Sequence, residues 1–264
     1  MSKKYQNDSL GTRMKRYETT SKSHLMRRTP VIARIDGRAF HTFTKRLKRI
    51  DPTIDTLPFS EVMHTCMMYT TRQLVDNVQG CVLGYTQSDE ISLLIRDWDT
   101  HETQAFFDYN VQKITSLMGA IASNAFNFIY QDWEEPQDFG DLAQFDARIH
   151  NIPFDDVANY FIWRQQDASR NSVQMLGHHH FSQKQMHGKN NSEVQDMLML
   201  EKGINWNDIP TWMKRGSCVL RNPDRTIPNS DLKALGTIRD DEIPIFTQDR
   251  QYIEQHLFVG DIDE

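Results

Sequence analysis

Two apolar runs, Cys81-Val82-Leu83-Gly84-Tyr85 and Ile91-Ser92-Leu93-Leu94-Ile95, are separated by little more than Gln87-Ser88-Asp89-Glu90. Runs of this length read as strands, and the short gap between them dictates a tight hairpin with an acidic tip. A third run, Val31-Ile32-Ala33-Arg34-Ile35, ends on Asp36-Gly37. If that strand lies beside the hairpin, Asp36 and Asp89 meet at one end of a sheet. Two carboxylates in that position suit magnesium, which prefers hard oxygen ligands and leaves room for substrate phosphates. The reaction class indicated is metal-dependent phosphoryl or nucleotidyl transfer.

Asp-Gly and Ser-Asp are also common turn formers, so either stretch alone reads as a plain turn. The chemistry rests on the two occurring together, each at a strand end. Gly37 allows close backbone approach, so its carbonyl can complete a metal shell or its amide can face a phosphate. Glu90 is either a third carboxylate or an anchor for groups around the metal.

The intervening chain supplies helices. Residues 9–22 read as a short helix capped by Ser9, with Leu10, Met14 and Tyr17 on one face. Ala39 to Phe43 reads as a helical turn or short helix. Between Phe59 and Val78 the apolar positions recur at helical spacing until Gly80. A long helical stretch comes next, from about Glu102 to Tyr130, then a strand from Leu142 to Ile149. The order βαββαβ predicts an α+β, ferredoxin-like palm domain over residues 1–153, its helices on one face of the sheet.

Residues 154–264 read as a mainly helical extension packed on that domain. Asp155 to Gly177 is mostly helical, residues 192–202 and 207–215 are short helices, and Ser217 to Leu220 is a candidate strand. His178-His179-His180 invites a zinc reading, but adjacent residues point in different directions and no spaced partner accompanies them. A surface loop is the reading preferred there.

Charge is distributed unevenly. The net charge of −6 argues weakly against nucleic acid, yet Arg13, Lys15, Arg16, Arg27-Arg28 and Lys45-Arg46-Leu47-Lys48-Arg49 are basic groups around the first motif. The last of these either solvates a loop or neutralises a triphosphate or an RNA backbone. His41 is either packed or near a nucleotide. Asp167-Ala168-Ser169-Arg170-Asn171-Ser172 is either an ordinary helix turn or an RNA-facing surface with Arg164. The 3 cysteines lack Cys-x-x-Cys spacing and read as inert thiols in a reducing cytoplasm. No run approaches the roughly 20 apolar residues of a membrane span, and the first residues lack a signal peptide's apolar segment.

Arg34-Ile-Asp-Gly-Arg-Ala-Phe-His41, Tyr85-Thr-Gln-Ser-Asp-Glu90 and Phe145-Asp-Ala-Arg148 together resemble the tRNA-His guanylyltransferase superfamily. Trp163-Arg-Gln-Gln-Asp167 and Gly203-Ile-Asn-Trp206 through Lys214-Arg-Gly216 extend the resemblance to roughly residues 11–220. It implies a polymerase-like palm that adds nucleotides to RNA in the 3′-to-5′ direction. Asp36, Asp89 and the Gly37 carbonyl would hold two magnesium ions. Asp36, Gly37, Arg38, Ala39, Phe40 and His41, with Lys45, Ser88 and Asp89, would bind the nucleoside triphosphate. Asp36, Asp89 and Glu90 would be the catalytic carboxylates. Arg27, Arg164, Arg170 and Asn171 would contact RNA. ATP or GTP would activate a tRNA 5′-phosphate, the 3′-hydroxyl of an incoming nucleotide would attack it, and the protein would work as a homotetramer.

Ala39 stands where the eukaryotic enzymes usually have Asn, and Ala168-Ser-Arg-Asn-Ser172 where they have Cys-His-Ile-Asn-Asn. Both resemble the bacterial and archaeal guanylyltransferase-like proteins, which implies templated repair of tRNA 5′ ends. The alternatives are guanosine addition at position −1 of tRNA-His and a palm-type nucleotide cyclase that acts without RNA. A non-catalytic RNA-binding protein is disfavoured by the carboxylate pair.

Overall fold

The computed structural model describes residues 9–47, 50–221 and 236–258. Lys48 and Arg49, assigned above to a basic cluster, lie outside the described residues. The first elements come in the order expected: α1 Leu10–Thr19, β1 Val31–Gly37, α2 Phe40–Leu47, α3 Glu61–Asn77, β2 Cys81–Gln87, β3 Glu90–Ile95, α4 Val111–Tyr130 and β4 Phe145–Asn151. Side-chain caps set several starts. Ser9 accepts from the Thr12 N–H at α1, and Ser60 from the Met63 N–H at α3. Gly80 closes the α3–β2 turn at φ 78°, a left-handed conformation that favours glycine.

Beyond residue 153 come α5 Val157–His180, α6 Gln183–Met186, α7 Asn191–Lys202, α8 Thr211–Arg215, β5 Ser217–Arg221, β6 Thr237–Asp240 and α9 Gln251–Glu254. Among the described residues the sheet runs β4-β1-β3-β2-β5-β6, and every pairing is antiparallel. The first four strands give the expected split palm. The extension is less purely helical than its sequence suggests, because β5 and β6 lengthen the palm's own sheet.

Alternation along each strand divides the core into two layers. Ala33, Ile35, Ile91 and Leu93 face α3 and α4, where Phe40, Phe43, Phe126, Tyr130 and Phe145 form an aromatic cluster. Ile32, Leu83, Tyr85 and Leu94 face the opposite way, onto Val157 and Phe161 of α5 and onto Phe246 and Ile253 near the end of the described chain. Helices on one face therefore describes the βαββαβ unit alone; α5 covers the second face. Gln165 of α5 fixes the last segment, donating to the Pro244 carbonyl at 2.9 Å and accepting from the Phe246 N–H at 2.8 Å. Phe59, Val173, Leu176, Val194, Leu198 and Met213 form a third cluster between α5, α7 and α8.

Two boundaries differ from the sequence reading. The long helix begins at Val111 rather than near residue 102, because Phe107, Asp108 and Tyr109 all have positive φ and Asn110 caps the first turn of α4. His178-His179-His180 is the last turn of α5, not a loop.

Candidate active site

Strand β1 lies beside β3, with Arg34 opposite Ser92, Ile35 opposite Ile91 and Asp36 opposite Glu90. The ladder closes with the Gly37 N–H donating to the Asp89 carbonyl at 3.0 Å. Asp36 and Asp89 thus sit at the same end of adjacent strands. Arg34 and Asp36, two residues apart, share a face, and both point to the α5 side.

That face carries an ion-pair network the sequence did not disclose. The Glu90 carboxylate receives Arg164 Nε at 2.6 Å and Arg164 Nη2 at 3.0 Å, a bidentate contact, and it also pairs with Arg34. Burial pushes the Glu90 carboxyl up, while Arg164 and Arg34 pull it back down. Arg164 continues to Asp167 at 3.1 Å, and Asp167 to Arg170 at 3.0 Å. Arg34 and Arg148 stand 3.8 and 3.9 Å from Asp36.

Two expectations change as a result. Glu90, expected among the catalytic carboxylates, has its carboxylate clamped between the Arg164 and Arg34 guanidiniums. Arg164 is buried, 4% exposed, and cannot present itself to RNA; it is the pin that joins α5 to the hairpin tip. Arg27 is also engaged, donating to Asp97 at 3.1 Å and to the Thr103 carbonyl at 2.8 Å. Arg170 and Asn171 are exposed on α5.

The turn from β1 into α2 is shaped by one close approach. A Cβ on Gly37 would collide with the ring of Phe40, which is buried in the aromatic cluster. Phe40, expected to bind nucleotide, can therefore do so only through its backbone. Ala39 at φ 56° and Ser88 at φ 52° both hold left-handed conformations, one in each loop at the carboxylates. Non-glycine residues held there cluster at functional sites. Arg38 is tied to β4's approach, its N–H donating to the Gln144 carbonyl at 2.8 Å and its Nη1 to Gln144 Oε1 at 2.6 Å. His41 and Lys45 are exposed on α2, while Arg46 pairs with Asp141.

Asp89 accepts from the Ser88 hydroxyl at 3.1 Å. Burial pushes its carboxyl above the usual range and the Asp36 charge adds to this, against the hydrogen bonds it accepts and the Arg34 guanidinium. Two carboxylates whose negative charges oppose each other at a sheet end fit a divalent cation, which would relieve that repulsion. Among the described residues no group of three or more His, Cys, Asp or Glu is placed to hold a metal ion. The donor set that fits is therefore two carboxylates with backbone oxygen, the remainder falling to water and phosphate as magnesium prefers.

No helix among the described residues is long and apolar enough to cross a membrane. The family profile described as tRNAHis guanylyltransferase (Thg1) matches residues 11–153. An uncharacterised protein (R259) of Acanthamoeba polyphaga mimivirus is 28% identical over 83% of this chain and 80% of its own length. The tRNA(His) guanylyltransferase of Saccharomyces cerevisiae is 24% identical over 72% of this chain and 82% of its own. Among solved structures, a bacterial tRNA(His) guanylyltransferase (Thg1)-like protein in complex with ATP matches with a TM-score of 0.82 at 41% identity, covering 96% of this chain and 100% of that one. A bacterial (Thg1)-like protein in complex with GTP matches at 0.77 and 39%, covering 95% and 100%. The chain belongs to the tRNA-His guanylyltransferase family and is a nucleotidyltransferase of tRNA 5′ ends.

Proposed function

We propose that the protein repairs the 5′ ends of truncated tRNAs, adding nucleotides in the 3′-to-5′ direction against the opposing template strand. The observation that carries this reading is the Asp36–Asp89 pair on adjacent strand ends, joined by the Gly37–Asp89 hydrogen bond. The bacterial structures with ATP and with GTP support both nucleotides as substrates here. Ala39 and the Ala168-Ser-Arg-Asn-Ser172 segment favour templated repair over obligatory guanosine addition.

In the first step an oxygen of the tRNA 5′-phosphate attacks the α-phosphorus of ATP or GTP, and pyrophosphate leaves. In the second, the 3′-hydroxyl of the incoming nucleotide attacks the tRNA 5′-phosphorus, its proton is lost to solvent, and AMP or GMP departs. Asp36, Asp89 and the Gly37 carbonyl would hold two magnesium ions, which supply a lowered hydroxyl pKa and neutralisation of phosphate charge. The chain's own part is positioning. The backbone of Gly37 to His41 and Ser88 faces the triphosphate, Arg38, His41 and Lys45 lie beside it, and Glu90 holds the strand ends in register. No side chain acts as a covalent nucleophile. Arg170 and Asn171 remain the RNA contacts proposed on α5, and the assembly proposed is a homotetramer.

The test is to incubate the protein with magnesium, labelled nucleoside triphosphates and a tRNA lacking its first 5′ nucleotide. Extension that matches the opposing base is expected. Guanosine added regardless of the opposing base would replace repair with addition at −1, and a cyclic product from nucleotide alone would replace both.

A further inference from the structure

Beside the carboxylates, α5 carries an exposed aromatic plane that the reaction as derived does not use. Tyr160 of α5 meets His150 of β4, with ring centroids 5.8 Å apart. His150 lies opposite Ile32, and two residues back along β4 Arg148 lies opposite Arg34. Three residues on from Tyr160, about 4.5 Å along α5, comes Trp163, and the next residue, Arg164, grips Glu90, which lies opposite Asp36. Both advances run towards Asp36. Trp163 is 48% exposed and the Arg148 side chain 57% exposed, the latter 3.9 Å from Asp36. The indole is held from within: Tyr160 meets it edge-on at 5.7 Å, and the Arg164 guanidinium lies 4.4 Å from its ring centre.

We infer that the open face of Trp163 is a stacking platform for a nucleobase, held next to the carboxylate pair with Arg148 beside it to meet the attached phosphate. A tryptophan braced by an aromatic edge and a cation is a rigid plane, and base–aromatic stacking contributes about 1–3 kcal/mol per base without sequence readout. Such indifference to base identity suits a site where the template strand chooses the base. The exposed guanidinium of Arg148, which also pairs with Asp146 at 3.0 Å, favours a phosphate-bearing ligand over an apolar protein face. The inference rests on the proposed reaction for its ligand class. The base has two sources, the RNA 5′ terminus or a free nucleotide.

Each source is titrated alone, so that no extension occurs: a stem-loop RNA with 2-aminopurine at its 5′ terminus, and 2-aminopurine riboside triphosphate. Stacking on Trp163 quenches the probe. Quenching by the unmodified protein and by Trp163→Phe is expected, with quenching lost and affinity lowered about tenfold in Trp163→Ala for one probe; the affected probe identifies the source. Trp163→Met keeps apolar bulk against Tyr160 and decides the question if the alanine variant fails to fold. Unchanged quenching of both probes in Trp163→Ala or Trp163→Met overturns the inference, as does a change confined to the sedimentation behaviour, which would assign the indole to a contact between protein copies. Stacking that persists while the unmodified protein extends no RNA would bring down the repair reading alone.

Discussion

Arg164 and Glu90 are 74 residues apart, yet their side chains meet in a bidentate pair at the Asp36–Asp89 end of the sheet, where they are only 5% and 6% exposed. Removing one partner leaves the other charge buried. Arg164→Ala should therefore destabilise the fold by roughly 3–5 kcal/mol, read as a shift in the urea unfolding midpoint. Arg164→Lys should recover only part of this, since an ammonium cannot match both carboxylate oxygens. A loss below about 1 kcal/mol for the alanine variant would show that the pair does not pin α5 to the hairpin.

Asp36→Ala and Asp89→Ala should each abolish both adenylylation of the RNA 5′-phosphate and nucleotide addition, by at least ~100-fold, while urea unfolding stays cooperative. Glu90→Gln separates positioning from chemistry: it should reduce the rate less than either Asp substitution, and its effect should appear together with lost stability. Single-turnover rates of the two steps, measured separately, check this. Near-normal turnover by either Asp variant would end the two-metal assignment.

The strand ends were legible because the first apolar run stops at Asp36 and the next two flank the Asp89-Glu90 tip, and short apolar runs do not depend on distant partners. The role of Glu90 was not, since nothing near it announces Arg164. Arg34 could have been found: its place two residues before Asp36 on one strand already puts both on one face. Arg27 read as a basic surface group because its buried partner Asp97 lies 70 residues away. Strand β6 was missed because four residues paired along one edge carry almost no pattern of their own. The start of α4 was misplaced because propensity does not reveal three successive left-handed residues, although Asn110 three positions before Lys113 was a readable cap.

His64 predicts how stability responds to acid. It stacks on Trp212 at 4.2 Å and bonds Asp241 at 3.2 Å, joining α3 to α8 and the residues after β6. Burial pushes its pKa down from 6.5 to about 4, against the Asp241 charge. The unfolded chain then binds the proton more readily than the folded one, so stability falls as pH drops from about 6.5 towards 4 and levels off below. The loss attributable to His64 is roughly 3 kcal/mol. His64→Phe keeps the stacking and removes the titration, so its unfolding free energy should vary less over that window. A variant as acid-sensitive as the unmodified protein would place the effect elsewhere.

Gly37 is where chain geometry and chemistry are hardest to separate, because its missing side chain lets the Phe40 ring lie against the backbone proposed to face the triphosphate. Gly37→Ala forces either the ring or the loop to move. Overpacking of this kind costs about 1–3 kcal/mol, and a shifted loop moves the Gly37 carbonyl and the neighbouring amides together. The expected result is a several-fold rise in KM for the nucleoside triphosphate with a parallel fall in kcat. The double variant Gly37→Ala with Phe40→Leu should relieve the clash and restore KM more than it restores stability, since the leucine leaves a gap against Phe126 and Phe145. If the double variant binds nucleotide as poorly as the single one, the loop is set by something other than the Phe40 contact.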